Sequence, residues 1–216
     1  ANWTLPNDFT LTSITAYRWW DFTPRNDDGL NVPVFYNAGV SVRDKQYSQE
    51  IRLASPTGGA FDYVLGAYYF KQDLDNKSFT YYGPQADVWN LTPAGALNNV
   101  DTIGNGHIDT DSYALFAQGT WHVTDRLDFT AGIRGTYEEK SAWVTRDAPS
   151  GGAAVTGAAA AARQARIGAY DSGDLNQYSF SPSGLLGLSY RFNEQLLGYA
   201  TLTHGEKSGG VNLTVG

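Results

Sequence analysis

Apolar and polar side chains alternate along several segments of this chain. The clearest segment is 127–138, where every second side chain is apolar or small: Leu127, Phe129, Ala131, Ile133, Gly135 and Tyr137. The side chains between them are mostly polar and include Arg134 and Glu138. Because successive side chains of a strand point to opposite faces, this pattern predicts a strand with one apolar and one polar face.

The same alternation occurs in residues 46–54, 112–123 and 178–191. In residues 9–23 the two faces are mixed, because Leu11 and Ile14 are both apolar, and the pattern leaves the facing open there. Pro182 predicts a local defect in its strand, since proline cannot donate to the hydrogen-bond ladder.

The connections between these segments alternate in length. Short turns are predicted near residues 6–8, 56–60, 124–126 and 192–195. Long polar connections are predicted near residues 24–40, 76–109 and 147–173. Short turns on one side and long loops on the other are typical of an outer-membrane barrel. We therefore predict an all-β fold, an antiparallel transmembrane β-barrel segment of about seven or eight strands, with short periplasmic turns and long extracellular loops.

Aromatic residues cluster next to the short turns. They are Phe61, Tyr63, Trp121, Phe129, Tyr190 and Phe192. Such rings suit a membrane boundary, and the alternative is ordinary packing in a β core. The alanine-rich stretch 153–162 predicts either a short helix within its loop or a disordered insert.

Composition narrows the class of protein. The 216 residues have a mean hydropathy of -0.36, and no apolar run approaches the ~18 residues of a membrane helix. Only alternate residues of a barrel strand meet lipid, so such a mean is compatible with a barrel. The net charge of -7 and the scattered basic residues argue against a nucleic-acid partner. The chain has no cysteine, which excludes disulfides and thiolate chemistry within it.

Several segments in their order resemble TonB-dependent receptors. The matching stretches are LTSITAYR at 11–18, YSQEIRLAS at 47–55, FDYVLGAYYF at 61–70, YALFAQ at 113–118, LDFTAGIRGTY at 127–137, SPS at 181–183 and GEKSGG at 205–210. The resemblance implies a 22-stranded barrel filled by a plug domain, in the outer membrane of a Gram-negative bacterium. It further implies contact with membrane lipid and lipopolysaccharide, cargo binding at the outer face, and transport driven by the TonB complex through the plug. We expect residues 1–216 to be a partial barrel domain, with the plug domain and its TonB box not present.

Charged residues on the predicted polar faces are candidates for the barrel lumen. They are Glu50, Arg52, Arg134 and Glu138. An arginine facing lipid at the midplane would cost ~2–4 kcal/mol, which favours the lumen. His107, His122 and His204 form no metal-ligand spacing, and His107 is expected in an acidic loop, where a cation site is the less favoured reading. No catalytic constellation, metal site or cofactor motif is predicted, and we do not expect an enzyme.

Residues in the long loops are candidates for cargo contact. They are Arg25, Tyr81, Tyr82, Trp89, Arg163 and Arg166. Aromatic rings and arginine suit an anionic, ring-bearing cargo such as a ferric siderophore, although such residues also pack loops against one another. The leading hypothesis is a receptor for active uptake of a scarce nutrient. The alternatives are a closed eight-stranded barrel with a structural or adhesive role, a passive porin, and a soluble β-sandwich.

Overall fold

The computed structural model describes residues 1–26 and 32–213. Within these residues, ten strands form one antiparallel sheet. The strands are β1 (Asn2–Thr4), β2 (Thr10–Phe22), β3 (Phe35–Ala54), β4 (Phe61–Tyr82), β5 (Val100–Thr124), β6 (Leu127–Arg146), β7 (Ser150–Gly151), β8 (Tyr170–Asp171), β9 (Leu175–Asn193) and β10 (Leu196–His204). The helices are α1 (Ala86–Asn90) and α2 (Gly157–Ile167), with a 3-10 turn at Pro6–Asp8.

The strands follow one another across the sheet in chain order. The order is β1-β2-β3-β4-β5-β6-β9-β10, with β7 paired to β5 and β8 paired to β6. This is a continuous meander, which confirms the predicted all-β antiparallel class. A soluble β-sandwich needs two facing sheets, and the described residues form one. A closed eight-stranded barrel is also excluded for the described residues, because β1 and β10 lie at opposite edges and do not pair.

The register places the alternating residues on two chemically distinct faces. Leu65 pairs with Ala117, and Ala117 pairs with Ile133, so these side chains form one row. We call the side of this row the apolar face and the opposite side, which carries Arg134, the polar face. The register also settles the facing of β2. Leu11 lies opposite Leu53 on the apolar face, and Ile14 lies opposite Glu50 on the polar face.

Two rows of aromatic rings bound the apolar face. The lower ring, next to the short turns, consists of Phe61, Trp121, Phe129 and Tyr190. The upper ring was not predicted and consists of Tyr17, Tyr47, Tyr69, Tyr113, Tyr137 and Phe180. Tyr69 lies eight residues beyond Phe61 on β4. The segment between the rings therefore has the length of about 9–11 residues that a tilted strand needs to cross a bilayer.

The strands continue well beyond the upper ring, and two predicted loop boundaries were wrong. The connection expected at 76–109 is only 83–99, because β4 ends at Tyr82 and β5 begins at Val100. Similarly, β3 begins at Phe35, inside the loop expected at 24–40. Residues 104–106 have the sequence of a turn but lie inside β5. Asn105 pairs with Lys77 of β4 on one side and with Thr145 of β6 on the other. Beyond the upper ring, backbone pairing therefore continues after the apolar–polar alternation of the sequence has ended.

The defect expected at Pro182 is absent. Pro182 pairs with Gly135 inside an uninterrupted ladder between β6 and β9. On the other side of β9, the pairing with β10 ends at His204 opposite Gly184. Pro182 therefore lies in a stretch with an unpaired edge among the described residues, where proline is tolerated.

The two fully described long loops pack against each other. A small core joins α1 and its loop to α2: Ala86, Ala96, Leu97, Val100 and Ile167. Of the two readings of the alanine-rich stretch, the helix is the one observed, as α2. Neither helix in the described residues is long and apolar enough to span a membrane.

We predict that the two faces respond differently to the same charge. Ile133 lies midway between the rings on the apolar face and is 68% exposed. Ile133→Arg should lower the free energy of unfolding of the full-length protein in lipid bilayers by about 2–4 kcal/mol, because the guanidinium would face hydrocarbon. Gln118→Arg, at the same level on the polar face, should cost much less. Urea titration in vesicles measures both, and equal losses would contradict the assignment of the faces.

Candidate functional site

The four charged residues predicted for the lumen all lie on the polar face. Glu50 and Arg52 form an ion pair on β3. Arg134 lies over two aromatic rings, 5.5 Å from the ring centre of Tyr68 and 5.9 Å from that of Phe116. These contacts hold the guanidinium in place on the sheet.

A buried carboxylate on the same face was not predicted. Asp44 is 3% exposed and accepts hydrogen bonds from Trp20 Nε1 at 3.1 Å, Gln46 Nε2 at 2.9 Å and Gln72 Nε2 at 3.0 Å. Its oxygens are therefore satisfied by neutral donors, which is the condition for burying such a group. The donors come from three strands, so this cluster fastens β2, β3 and β4 together.

His122 lies at the turn end of the polar face and is hydrogen-bonded there. Its Nδ1 lies 2.7 Å from Asp128 Oδ1, and its Nε2 lies 3.1 Å from Asp62 Oδ2. Asp62 Oδ1 is buried and has no hydrogen-bond partner among the described residues. This end of the face is therefore rich in acceptors.

Residues 205–213, which we call the strap, lie over the polar face after β10. Lys140 Nζ donates to Ser208 Oγ at 3.1 Å and to the Gly209 carbonyl at 2.7 Å. The Ser208 hydroxyl donates to Glu138. Further along, Asn76 Nδ2 donates to the Leu213 carbonyl at 3.3 Å. The strap thus crosses from β9 over β6 towards β4, and its partners were not predictable from local sequence.

Glu138 forms its ion pair with Lys140 and not with Arg134, although both Arg134 and Glu138 were predicted for the lumen. The Lys140 ammonium lies 2.5 Å from the Glu138 carboxylate. Burial alone would raise the pKa of Glu138, but the hydrogen bonds from Lys140 and Ser208 hold that pKa below its ordinary value. The carboxylate is therefore kept charged beneath the strap.

The loop 83–99 is folded around a second buried carboxylate. Asp87 is 3% exposed and accepts from the backbone N–H groups of Gly95 and Leu97, both at 2.6 Å, and from the Thr92 hydroxyl at 2.9 Å. Leu91, which ends α1 in the left-handed conformation, is 91% exposed. The loop is thus a rigid unit with an apolar tip.

Arg163 joins the two long loops and has few donors left for cargo. Its guanidinium donates to the carbonyls of Ala96 at 2.9 Å, Gly95 at 2.5 Å and Ala153 at 2.9 Å. Arg166 makes one weaker contact, from its Nη2 to the Asn90 carbonyl at 3.4 Å. Trp89 lies on α1 and is 57% exposed.

Two guanidiniums lie within electrostatic reach of Tyr82 at the outer end of the polar face. Burial raises the pKa of Tyr82, and the charges of Arg146 and Arg166 oppose that increase, so both guanidiniums act on the phenol. Arg146 was not predicted, and its Nε donates to the Gly168 carbonyl at 2.8 Å. The remaining two candidates lie elsewhere. Tyr81 packs beside Phe79 with ring centres 5.9 Å apart, and Arg25 is exposed in the loop after β2.

His107 lies in β5 beyond the upper ring, on the outward side, and not in a loop as expected. Its Nδ1 is 2.8 Å from Asp75 Oδ1 and its Nε2 is 3.1 Å from Asp109 Oδ2. Asp73, Asp75 and His107 could by their spacing hold a metal ion. Both ring nitrogens already have carboxylate partners, so a protonated imidazole that donates from both nitrogens accounts for this geometry without an ion.

We predict a pH-dependent contribution of His107 to stability. Burial lowers the pKa of His107, but the hydrogen bonds to Asp75 and Asp109 outweigh it and raise the pKa above its ordinary value. Because the folded pKa is raised, this stability is complete below the unfolded pKa of about 6.5 and is lost as pH rises through the folded pKa. Asp75→Asn should therefore lower the free energy of unfolding of the full-length protein more at about pH 5.5 than at about pH 9.

Asp21→Asn is the matched control for this measurement. Asp21 pairs with Arg43 at 3.0 Å, and arginine keeps its charge over this range. Its effect in urea titrations should therefore hardly change with pH. A loss for Asp75→Asn that is as large at the higher pH would refute the protonated imidazole.

Comparison with known proteins identifies the family. The family model described as TonB dependent receptor-like, beta-barrel, matches residues 1–215. The solved structure of the ferric yersiniabactin uptake receptor FyuA from Yersinia pestis is similar, with a TM-score of 0.69 and 16% identity over 93% of this chain and 26% of that chain. The ferric-catecholate import receptor Fiu from E. coli K12, in its open form, has a TM-score of 0.55 and 12% identity over 93% of this chain and 33% of that one. At these identities the structures support the fold, and the chain spans about a third of their length or less. Together with the two-faced sheet, the match over nearly all residues shows that this chain belongs to the TonB-dependent receptor family.

Proposed function

We propose that this chain is a wall section of an outer-membrane receptor that takes up a scarce nutrient by TonB-dependent transport, and that the nutrient is a ferric siderophore. The observation that carries the proposal is the sheet itself, which has a lipid-compatible face bounded by two aromatic rings and a charged face opposite it. In a closed barrel the polar face lines the lumen and the apolar face meets lipid. The short turns are then periplasmic and the long loops extracellular, in the outer membrane of a Gram-negative cell.

The outer end of the polar face supports an anionic, ring-bearing cargo. Arg146 and Arg166 lie within electrostatic reach of Tyr82, and each guanidinium makes only one hydrogen bond within the described residues. Their remaining N–H groups can bind phenolate, catecholate or carboxylate oxygens. FyuA and Fiu are described as receptors for ferric yersiniabactin and ferric catecholates, and such cargo fits this group of residues.

The loop contacts change the set of candidate cargo residues. Arg163 holds the two loops together, so we propose Tyr82, Arg146 and Arg166 as the primary contacts and Trp89 as an exposed neighbour on the loop tip. Arg25 and Tyr81 lie apart from this group and would act at most in loop packing.

Energy would come from the TonB complex acting through a plug domain elsewhere in the full-length protein. The outward residues beyond Tyr69 continue past the upper aromatic ring, and this position supports contact with lipopolysaccharide headgroups. Nothing in this arrangement calls for a catalytic group. A passive porin is the second candidate, because the lumen charges suit it too. Uptake by a porin would continue when the proton gradient is collapsed, whereas TonB-dependent uptake would stop.

We predict that Arg166→Gln weakens cargo binding about tenfold, because a charged hydrogen-bond donor is lost. Fluorescence quenching of the purified full-length receptor by ferric complexes of a catecholate and of a phenolate siderophore would measure the dissociation constants. Arg126→Gln, in the short turn between β5 and β6, should leave them unchanged. If neither ferric complex binds, while haem or cobalamin does, the cargo assignment is wrong.

A further inference from the structure

The strap lies between the proposed cargo contacts, Tyr82, Arg146 and Arg166, and the part of the polar face that is nearer the short turns. It contacts Lys140, which lies six residues before Arg146 on the same face of β6, roughly 20 Å along the strand. Arg134 lies six residues further towards the short turns. At Gly106 of β5 the strap is so close that an added Cβ would come within 3.3 Å of Leu213. Cargo moving inward along this face would therefore meet the strap first.

Lys140 makes two of the hydrogen bonds between the strap and the sheet, and it is their charged donor. An ammonium has three N–H donors, and here they face the Ser208 hydroxyl, the Gly209 carbonyl and the Glu138 carboxylate. The side chains of Lys140 and Glu138 are only 15% and 18% exposed beneath the strap. Removing the ammonium would take away two contacts to the strap at once.

The strap has the composition of a flexible segment. It contains Gly205, Gly209 and Gly210 and forms neither helix nor strand. An added Cβ at Gly205 or Gly210 would meet no atom within 4 Å, so both positions have free space around them. Glycines adopt a wide range of backbone conformations, which allows this segment to swing away from the sheet.

We propose that Lys140 is a latch that holds the strap across the lumen, and that an anionic cargo releases the strap by taking over the ammonium. Anionic oxygens accept stronger hydrogen bonds from an ammonium than a hydroxyl or a carbonyl does. When the ammonium turns to the cargo, Ser208 and Gly209 lose their charged donor. The strap then keeps the hydrogen bonds of Ser208 with Glu138 and of Asn76 with Leu213, and it leaves the sheet more often. The cargo half of this inference rests on the proposed function, whereas the latch half rests on the contacts alone.

Labelling of the strap tests the latch in the full-length receptor in outer-membrane vesicles. A Gly210→Cys reporter is suitable because these 216 residues contain no cysteine, and its reaction with a polyethylene-glycol maleimide measures how often the strap is released. Lys140→Met should speed labelling about tenfold or more, since two hydrogen bonds to a charged donor are lost. Lys140→Arg should restore slow labelling, because the guanidinium still donates. Lys77→Met is the matched control on the opposite face and should label as slowly as the parent.

A second variant and a fold check keep the latch testable. Ser208→Ala removes the contacts of the hydroxyl with Lys140 and Glu138 but keeps the hydrogen bond from Lys140 to the Gly209 carbonyl, and it should give an intermediate rate. Heat-modifiable migration on gels identifies any variant that has not folded. If folded Lys140→Met labels as slowly as Lys77→Met, or if the parent labels as fast as Lys140→Met, Lys140 does not hold the strap.

A ferric catecholate complex tests the release by cargo. It should accelerate labelling of the parent and leave the already fast Lys140→Met unchanged. Binding of the complex without faster labelling would overturn release by an anion. Failure of the complex to bind would remove the cargo half together with the proposed siderophore, while the comparison of variants would still decide the latch.

Discussion

The need to pair every backbone group where water is absent governs this structure. In the hydrocarbon core of a membrane an unpaired N–H or C=O costs several kcal/mol, so only helices and closed barrels can cross it. Between the two aromatic rings, β2 to β9 accordingly form uninterrupted ladders, and the register shifts lie at strand ends. The same requirement applies to the sheet edges. β1 and β10 carry unpaired backbone groups among the described residues, and in a membrane further strands must pair with both.

Sequence alternation predicted the strands where the two faces meet different solvents. Residues 127–137 are the clearest case, because their apolar side chains point to one side of β6 and Arg134 to the other. The prediction failed for residues 100–109, which lie beyond the upper ring. There the side of β5 that continues the polar face is buried under the loops and the strap, with Val100 0% and Thr102 9% exposed, so the apolar–polar alternation of the lower part is lost. Tyr69, Tyr113 and Tyr137 were read as ordinary strand residues. Their constant distance of eight residues from the lower ring is the signal that would have revealed the upper ring.

The candidate site was only partly predictable, because its contacts are long-range. The alternation of side chains along each strand was enough to assign Glu50, Arg52, Arg134 and Glu138 to the polar face. By contrast, Lys140 donates to the carbonyl of Gly209, which lies 69 residues later in the chain, and no local sequence pattern predicts this contact. Arg163 and Arg166 looked equivalent in sequence, yet one guanidinium makes three carbonyl contacts and the other makes one. The position of each arginine on α2 relative to the neighbouring loop determines whether its guanidinium holds the loops together or is available for cargo.

The central claim, a barrel wall with one face to lipid and one to the lumen, is tested most directly by collision accessibility of spin labels along β6. Single cysteines at each position of 129–137 in the full-length receptor would be labelled in the membrane. Their relaxation by oxygen, which partitions into lipid, would be compared with relaxation by a water-soluble nickel chelate. The account predicts strict alternation, with oxygen access highest at Phe129, Ala131, Ile133, Gly135 and Tyr137 and low at the even-numbered positions between them. Equal access of the water-soluble reagent to both sets would contradict a membrane-spanning strand.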